Sequence, residues 1–351
     1  MKSRLLLITP RLYGIERKIK SGIEELGFDV VWIENKVLSL DYHAVNGKMR
    51  MIREVYCFIF SPRVWYLKKQ LKKIGDKRFD ILFCINGHVV CSYLLKKLKK
   101  ENPGLFSLIY LWDSFSMYSW IKELRCFDKV YTFDPIDAIN HDLEYKPNFN
   151  FCAGIIENKG SDIDVFFVGK FSPFRYFFLE KLLPQLINFN INYYIKVIAK
   201  DRNFLHNFLL YKIFKFLNLK GKWTEYYIMN YEAIEGIAKK DYIINNTIDF
   251  EETQSNFLGS DVIMDLSYPL QSGYSHRFIS ALGSGKKVIT YNEYIRNELF
   301  YNHDQIYIIE NGTEKIDINW LKEKKSFAPV IEFSNLNISA WLTSLLYVEN
   351  S

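Results

Sequence analysis

Short runs of apolar, β-branched and aromatic residues alternate along this chain with longer segments whose apolar positions recur every three to four residues. The short runs read as strands buried on both faces, the longer segments as amphipathic helices. In the first half, strands are expected at Leu5 to Ile8, Val30 to Ile33, Ile81 to Ile85, Phe106 to Leu111, Lys129 to Phe133 and Phe149 to Cys152. Helices are expected near Glu16 to Leu26, Val64 to Ile74, Val89 to Lys100 and Met117 to Leu124. The rhythm then restarts. Strands are expected at Val165 to Val168, Tyr193 to Ile198, Tyr242 to Asn245, Val262 to Leu266, Val288 to Tyr291 and Ile306 to Ile309. The helices between them fall near Arg175 to Ile187, Asn203 to Phe216, Tyr231 to Ala238, Phe250 to Leu258, His276 to Gly283 and Glu293 to Phe300. Strands alternating with helices are the pattern of βαβ units, so the fold class is α/β with doubly wound parallel sheets.

Between the two sets the apolar pattern lapses into the polar, turn-rich stretch Ile156 to Asp162. A chain of 351 residues exceeds the size at which one core keeps growing. The expectation is therefore an N-terminal domain over 1–157, a C-terminal domain over 163–330, and a helix within 331–351 that crosses back to the first domain.

Composition adds three constraints. Apolar residues make up 49% and charged residues 25%, within the range of globular domains. The five cysteines are scattered, mostly in apolar runs and never at zinc-ligand spacing, which suits buried thiols in a reducing compartment. The apolar run at the N-terminus, Leu5 to Ile8, is too brief for a signal peptide or membrane span, so a cytoplasmic protein is expected. Net charge is only +6, but Arg63 to Arg78 holds seven basic residues and one acidic one. Interleaved with Val64, Trp65, Tyr66, Leu67, Leu71 and Ile74, that run is either a helix lying on an anionic membrane face or one whose apolar stripe packs on its own domain. No nucleic-acid-binding pattern accompanies it.

Doubly wound sheets bind ligands beyond the carboxyl ends of their strands, and that rule selects the candidate residues. After Val262 to Leu266 comes Gln271-Ser-Gly-Tyr-Ser-His-Arg-Phe-Ile-Ser280, whose polar head would sit at a helix N-terminus, where backbone N–H groups and Arg277 suit a phosphate. Gln271, Ser272, Gly273, Ser275, His276, Arg277 and Ser280 are the donor-binding candidates there. Gly169, Lys170 and Arg175, after Val165 to Val168, form a second cationic turn, with Pro173 in the first turn of the next helix. In the first domain Asp113 ends an apolar strand beside Trp112. It either accepts a proton from an acceptor hydroxyl or caps a helix from Ser114 to Tyr118. Asp134, Asp137 and His88 compete for the catalytic role.

The Gln271 segment runs on through Ala281-Leu-Gly-Ser-Gly-Lys-Lys-Val-Ile-Thr290. The second half of the stretch Gln271 to Thr290 resembles the donor-binding stretch of GT-B glycosyltransferases, especially capsule and lipopolysaccharide transferases related to the CgeB group. Tyr110-Leu-Trp-Asp-Ser114, Phe127 to Asp137, Asp164 to Gly169 and Phe250-Glu-Glu252 extend the likeness over most of the chain. The resemblance implies two Rossmann-like domains facing across a cleft. It also implies sugar transfer from a nucleotide-diphosphate donor to a lipid-linked or oligosaccharide precursor of lipopolysaccharide O-antigen or capsule, at the inner face of the cytoplasmic membrane. No cofactor and no obligatory metal are expected. One departure stands out: where family 4 retaining transferases carry two glutamates, this chain has Ser272 and Ser280. A sugar-pyrophosphate donor, a nucleotide-sugar epimerase and a non-catalytic nucleotide-binding protein remain open as other readings.

Overall fold

In the computed structural model the described residues are 2–11, 14–35, 62–75, 78–86, 90, 92–116, 124–154, 163–199, 216, 240–267, 271–310 and 316–347. All of the expected helix Asn203 to Phe216 but its last residue, the expected helix Tyr231 to Ala238, most of Met117 to Leu124, the 155–162 break and His88 lie outside them. The chain divides into two compact units. One comprises Met1–Asn150, Leu270–His276 and Asn335–Ser351; the other Phe151–Pro269 and Arg277–Ser334.

The first unit holds six strands: β1 (Arg4–Thr9), β2 (Asp29–Glu34), β3 (Ile81–Ile85), β4 (Phe106–Leu111), β5 (Lys129–Thr132) and the short β6 (Glu144–Tyr145). All pair in parallel, in the order β2-β1-β3-β4-β5-β6. Helices α1 (Ile15–Glu25), α2 (Pro62–Ile74), α3 (Ser92–Glu101) and α4 (Pro135–His141) connect them. The apolar stripes of α2 and α3 bury Leu67, Leu94, Leu95 and Leu98 against Leu82 and Ile109 of the sheet. Helices α2 and α3 follow crossovers toward the same edge, so right-handed connection puts both on one face of the sheet.

The second unit repeats the plan with β7 (Ile163–Lys170), β8 (Tyr193–Ile198), β9 (Ile243–Ile244), β10 (Ser260–Asp265), β11 (Lys287–Thr290) and β12 (Ile306–Ile308). Its order is β12-β11-β10-β7-β8-β9, again all parallel. Numbered from β7 as strand one, this is the doubly wound dinucleotide-fold order, and the winding reverses between β7 and β10. Helices α5 (Pro173–Asn188), α6 (Phe250–Leu258), α7 (His276–Gly283), α8 (Ile318–Lys322) and α9 (Ile331–Ser334) follow in chain order. The last, α10 (Ile338–Leu346), belongs to the first unit, where Trp341 packs on Tyr110, Phe83 and Phe149 and Tyr347 Oη donates to Leu26 O. Two parallel-sheet, Rossmann-like units are thus present.

Two expectations are corrected. Phe149 to Cys152 is no strand: Asn150 N–H donates to Leu336 O and Phe151 N–H to Ser280 Oγ, so loop and side-chain acceptors replace a ladder. The helix expected over Glu293 to Phe300 is only a 3₁₀ turn, Glu293–Asn297, capped by the Asn292 side chain. The apolar stripe of α2 faces inward through Val64, Tyr66, Leu67, Leu71 and Ile74, while Trp65 stays 63% exposed.

Candidate functional site

In the second unit the geometry begins at the carboxyl end of β7. Ser172 caps α5 by accepting from Arg175 N–H, with Pro173 at the first helical position. This fixes where the Arg175 side chain leaves the helix. Its Nε donates to Leu266 O (2.8 Å), just past β10, and its Nη1 to Lys170 O (2.6 Å). Arg277, in the first turn of α7 after β10, reaches the other way: Nη1 donates to Val168 O of β7 (2.9 Å). Each arginine therefore follows one of the two central strands and bonds the end of the other, at the point where the winding reverses.

The two guanidiniums also share a platform. Arg277 Cζ lies 5.2 Å and Arg175 Cζ 5.8 Å from the ring centroid of the fully buried Phe167, within cation–π range. A Cβ built on Gly169 would come within 2.7 Å of that ring's Cζ, so only glycine leaves Phe167 its place. Arg277 is held further by Asp265, a buried carboxylate at the end of β10, with Nη2 3.5 Å from Oδ1; the Ser267 hydroxyl lies 2.8 and 2.9 Å from its two oxygens. Among the described residues Arg277 Nε is buried and has no hydrogen-bond partner. The Lys170 side chain is exposed beside them.

In the first unit, Asn86 ends β3 in the left-handed region (φ 57), which asparagine tolerates better than most residues. From there its Oδ1 accepts from Trp112 N–H (2.9 Å) and its Nδ2 donates to Asp113 Oδ2 (2.5 Å). Asp113 is thus aimed by a buried amide at the carboxyl end of β4. A capping Asp113 would accept from Phe115 and Ser116 N–H. Those amides instead donate to Asp137 Oδ2 (2.7 Å) and Ser114 Oγ (3.1 Å). Burial raises the pKa of Asp137, and the neighbouring Asp134 charge adds to the rise.

Asp134 is the hub of this unit. Buried to 1% exposure, it caps α4 by accepting from Ile136 and Asp137 N–H (3.1 and 3.2 Å). It also accepts from Ser272 N–H (2.9 Å), Gly273 N–H (3.3 Å) and the Ser272 hydroxyl. With its lone pairs committed, Asp134 is a scaffold carboxylate rather than a free base. A Cβ on Gly273 would meet Phe133 at 2.6 Å, so the segment lies tight against the end of β5. Asn148 Nδ2 donates to Tyr274 O (2.9 Å), and His276 Nδ1–H donates to Phe149 O (3.0 Å) with its ring 4.5 Å from that of Phe149. Gln271 and Ser275 are half-buried on the same segment.

The candidates therefore separate. Gly169, Lys170, Arg175 and Arg277 gather in the second unit, while Gln271, Ser272, Gly273, Ser275 and His276 pack in the first. Ser272 supports Asp134, and Ser280, fully buried, accepts from Phe151 N–H, so the two positions where glutamates were expected by analogy hold structural hydroxyls. Phe167, Asp265 and Asn86 were missed as supporting residues. Asp265 carried a signal, a carboxylate closing an apolar strand run. Among the described residues no three His, Cys, Asp or Glu side chains gather as metal ligands, and no helix is long and apolar enough to cross a membrane.

No protein-family profile and no curated protein sequence matches the chain. Solved structures similar to it include sucrose-phosphate synthase from Thermosynechococcus elongatus, at 12% identity over 98% of this chain and 95% of that one, with a TM-score of 0.48. The lipopolysaccharide outer core galactosyltransferase WaaB in its apo form matches at 11% identity over 98% and 96%, TM-score 0.41. An alpha-glucosyltransferase in complex with UDP and a 13-mer DNA matches at 13% identity over 84% and 80%, TM-score 0.42. Each likeness is distant, and none assigns a role to a residue of this chain.

Proposed function

We propose that the chain is a glycosyltransferase of GT-B type, moving a sugar from a nucleotide-diphosphate donor onto a precursor of lipopolysaccharide O-antigen or capsule. The observation that carries this reading is the reciprocal arginine pair at the winding reversal of the second sheet. Ligands of such sheets lie outside the carboxyl ends of the strands at that reversal. Two guanidiniums fixed there, with an exposed lysine beside them, suit the two negative phosphates of a sugar diphosphate. Arg277 Nε is a further donor that a phosphate oxygen would satisfy.

In this reading Arg175, Arg277 and Lys170 bind the diphosphate and stabilise the charge it gains as the sugar leaves, which is preorganised electrostatic catalysis. Asp113, aimed by Asn86, takes the proton of the acceptor hydroxyl. With serines at 272 and 280 the chain takes no stereochemical outcome from family 4. The guanidiniums answer the diphosphate charge without a divalent ion, so transfer is expected to survive chelation. Activity lost to chelator and restored by magnesium or manganese would overturn that part.

Donor binding is tested first, by thermal shift and calorimetry over nucleoside diphosphates and their sugars. Binding of none of them would remove the function. With a donor and acceptor in hand, Asp113→Asn keeps the bond to Asn86 but loses the base. Transfer should fall about 10²–10⁴-fold with donor affinity unchanged. Near-normal transfer would move the catalytic role to Asp137.

A further inference from the structure

Helices α2 and α3 present the same pattern to solvent. On α2 the exposed residues are Trp65, Lys68, Lys69, Lys72 and Lys73; on α3 they are Tyr93, Lys96, Lys97, Lys100 and Glu101. Each is an aromatic followed by positions three, four, seven and eight residues on, which is one helical face. The opposite stripe of both helices is spent on the core, so this outer face is not needed for folding. The two faces adjoin, because Lys68 Nζ lies 5.4 Å from the Tyr93 ring centroid, and Lys69 Nζ lies 4.9 Å over Trp65. Trp65 and Tyr93 remain 63% and 59% exposed.

The charge is concentrated to match. Helix α2 carries five basic residues and no acidic one, and α3 four basic and one acidic, so together they exceed the net charge of the whole chain, +6. Among the described residues, the ion pairs of these two helices are Lys97 with Glu101 and Lys99 with Asp128.

We propose that α2 and α3 jointly form a docking face for an anionic lipid bilayer. Lysine ammoniums on flexible stems reach headgroup phosphates as point charges while their alkyl chains lie along the surface. Tryptophan and tyrosine, apolar with one polar edge, sit at the headgroup level. Two helices side by side give a two-dimensional array of lysines suited to a surface. A polynucleotide track would favour arginine forks and a line of charge, and among the described side chains the exposed face of these two helices carries its positive charge on lysines alone. The face does not depend on the donor site, so its failure and that of the glycosyltransferase reading are separately visible.

The test is co-sedimentation of the full chain with phosphatidylcholine vesicles, with vesicles containing phosphatidylglycerol, and with duplex DNA. Binding is expected to the anionic vesicles alone and to weaken as salt rises. Lys68→Gln/Lys69→Gln/Lys72→Gln/Lys73→Gln and, separately, Lys96→Gln/Lys97→Gln/Lys100→Gln should each cut anionic-vesicle partition by at least about tenfold, since each lysine near such a surface contributes on the order of 1 kcal/mol. Trp65→Ala/Tyr93→Ala should lose the part of binding that persists at high salt. Every altered side chain is exposed, so the melting temperature of each variant should match the parent. Equal binding to neutral vesicles, binding to DNA in preference to vesicles, or indifference to either lysine set would overturn the proposal.

Discussion

Replacing Arg277 tests the donor site most directly, because its side chain has two separable jobs. In the free protein the guanidinium binds Val168 O at 2.9 Å, approaches Asp265 and lies over Phe167. Losing a charged hydrogen bond costs about 1.5–3 kcal/mol. Arg277→Ala should therefore lower the melting temperature by roughly 2–4 °C for each kcal/mol lost, with no ligand present. With donor, a second charge-assisted interaction disappears, also about 1.5–3 kcal/mol, or about 10- to 150-fold in dissociation constant. Calorimetry against a nucleoside diphosphate, on protein held well below its midpoint, separates the two effects. Arg277→Lys restores charge but not the fork that spans Val168 O and Asp265, so it should recover only part of each. A folded Arg277→Ala variant with parental diphosphate affinity would refute the reasoning, whatever its melting temperature.

Three further outcomes follow from the same geometry. Asp134→Ala strands the buried amides of Asp137, Ser272 and Gly273 and removes a helix cap, so it should cost about 3–5 kcal/mol, with Asp134→Asn intermediate; equal melting temperatures for parent and Asp134→Ala would contradict the hub. Gly169→Ala drives a methyl to 2.7 Å from Phe167 and should weaken diphosphate binding by about tenfold through both arginines, which calorimetry checks. Burial holds the pKa of Asp137 above its unfolded value, so its contribution is complete below the ordinary aspartate range and is lost as pH rises through the folded value. The melting temperature of the parent relative to Asp137→Asn should accordingly rise as pH falls through the weakly acidic range; an opposite slope would contradict the burial.

The α/β class was legible because a strand buried on both faces must be apolar throughout, and β1, β3, β4 and β8 lie within a residue or so of the expected runs. The failures have the same root. Phe149 to Cys152 is as apolar as a strand, yet its backbone groups bond loops and side chains, and composition cannot say where a backbone group finds its partner. Helix α4 went unseen although Asp134-Pro135 carries the cap-then-proline signal also present at Ser172-Pro173. Without a long periodic segment behind it, the pair reads equally well as the opening of a turn.

At the candidate site, the strand-end rule picked out Arg175, Arg277 and Asp113 from position alone. It could not give their partners, because those come from elements distant in sequence. Arg277 meets Val168 across 109 residues, Arg175 meets Leu266 across 91, and Ser272 meets Asp134 across 138. A sequence reading treats a polar residue after a strand as available to a ligand, whereas the fold decides which of them are already committed. Ser272 and Ser280 are committed to the scaffold, and Asp134 is saturated. Arg175 and Arg277 also bond the protein, but at carbonyls at or near strand ends, and a guanidinium offers five donors where a hydroxyl offers one. The arginines can thus serve scaffold and ligand together, which a serine hydroxyl with one proton cannot, and they are the residues on which the donor reading rests.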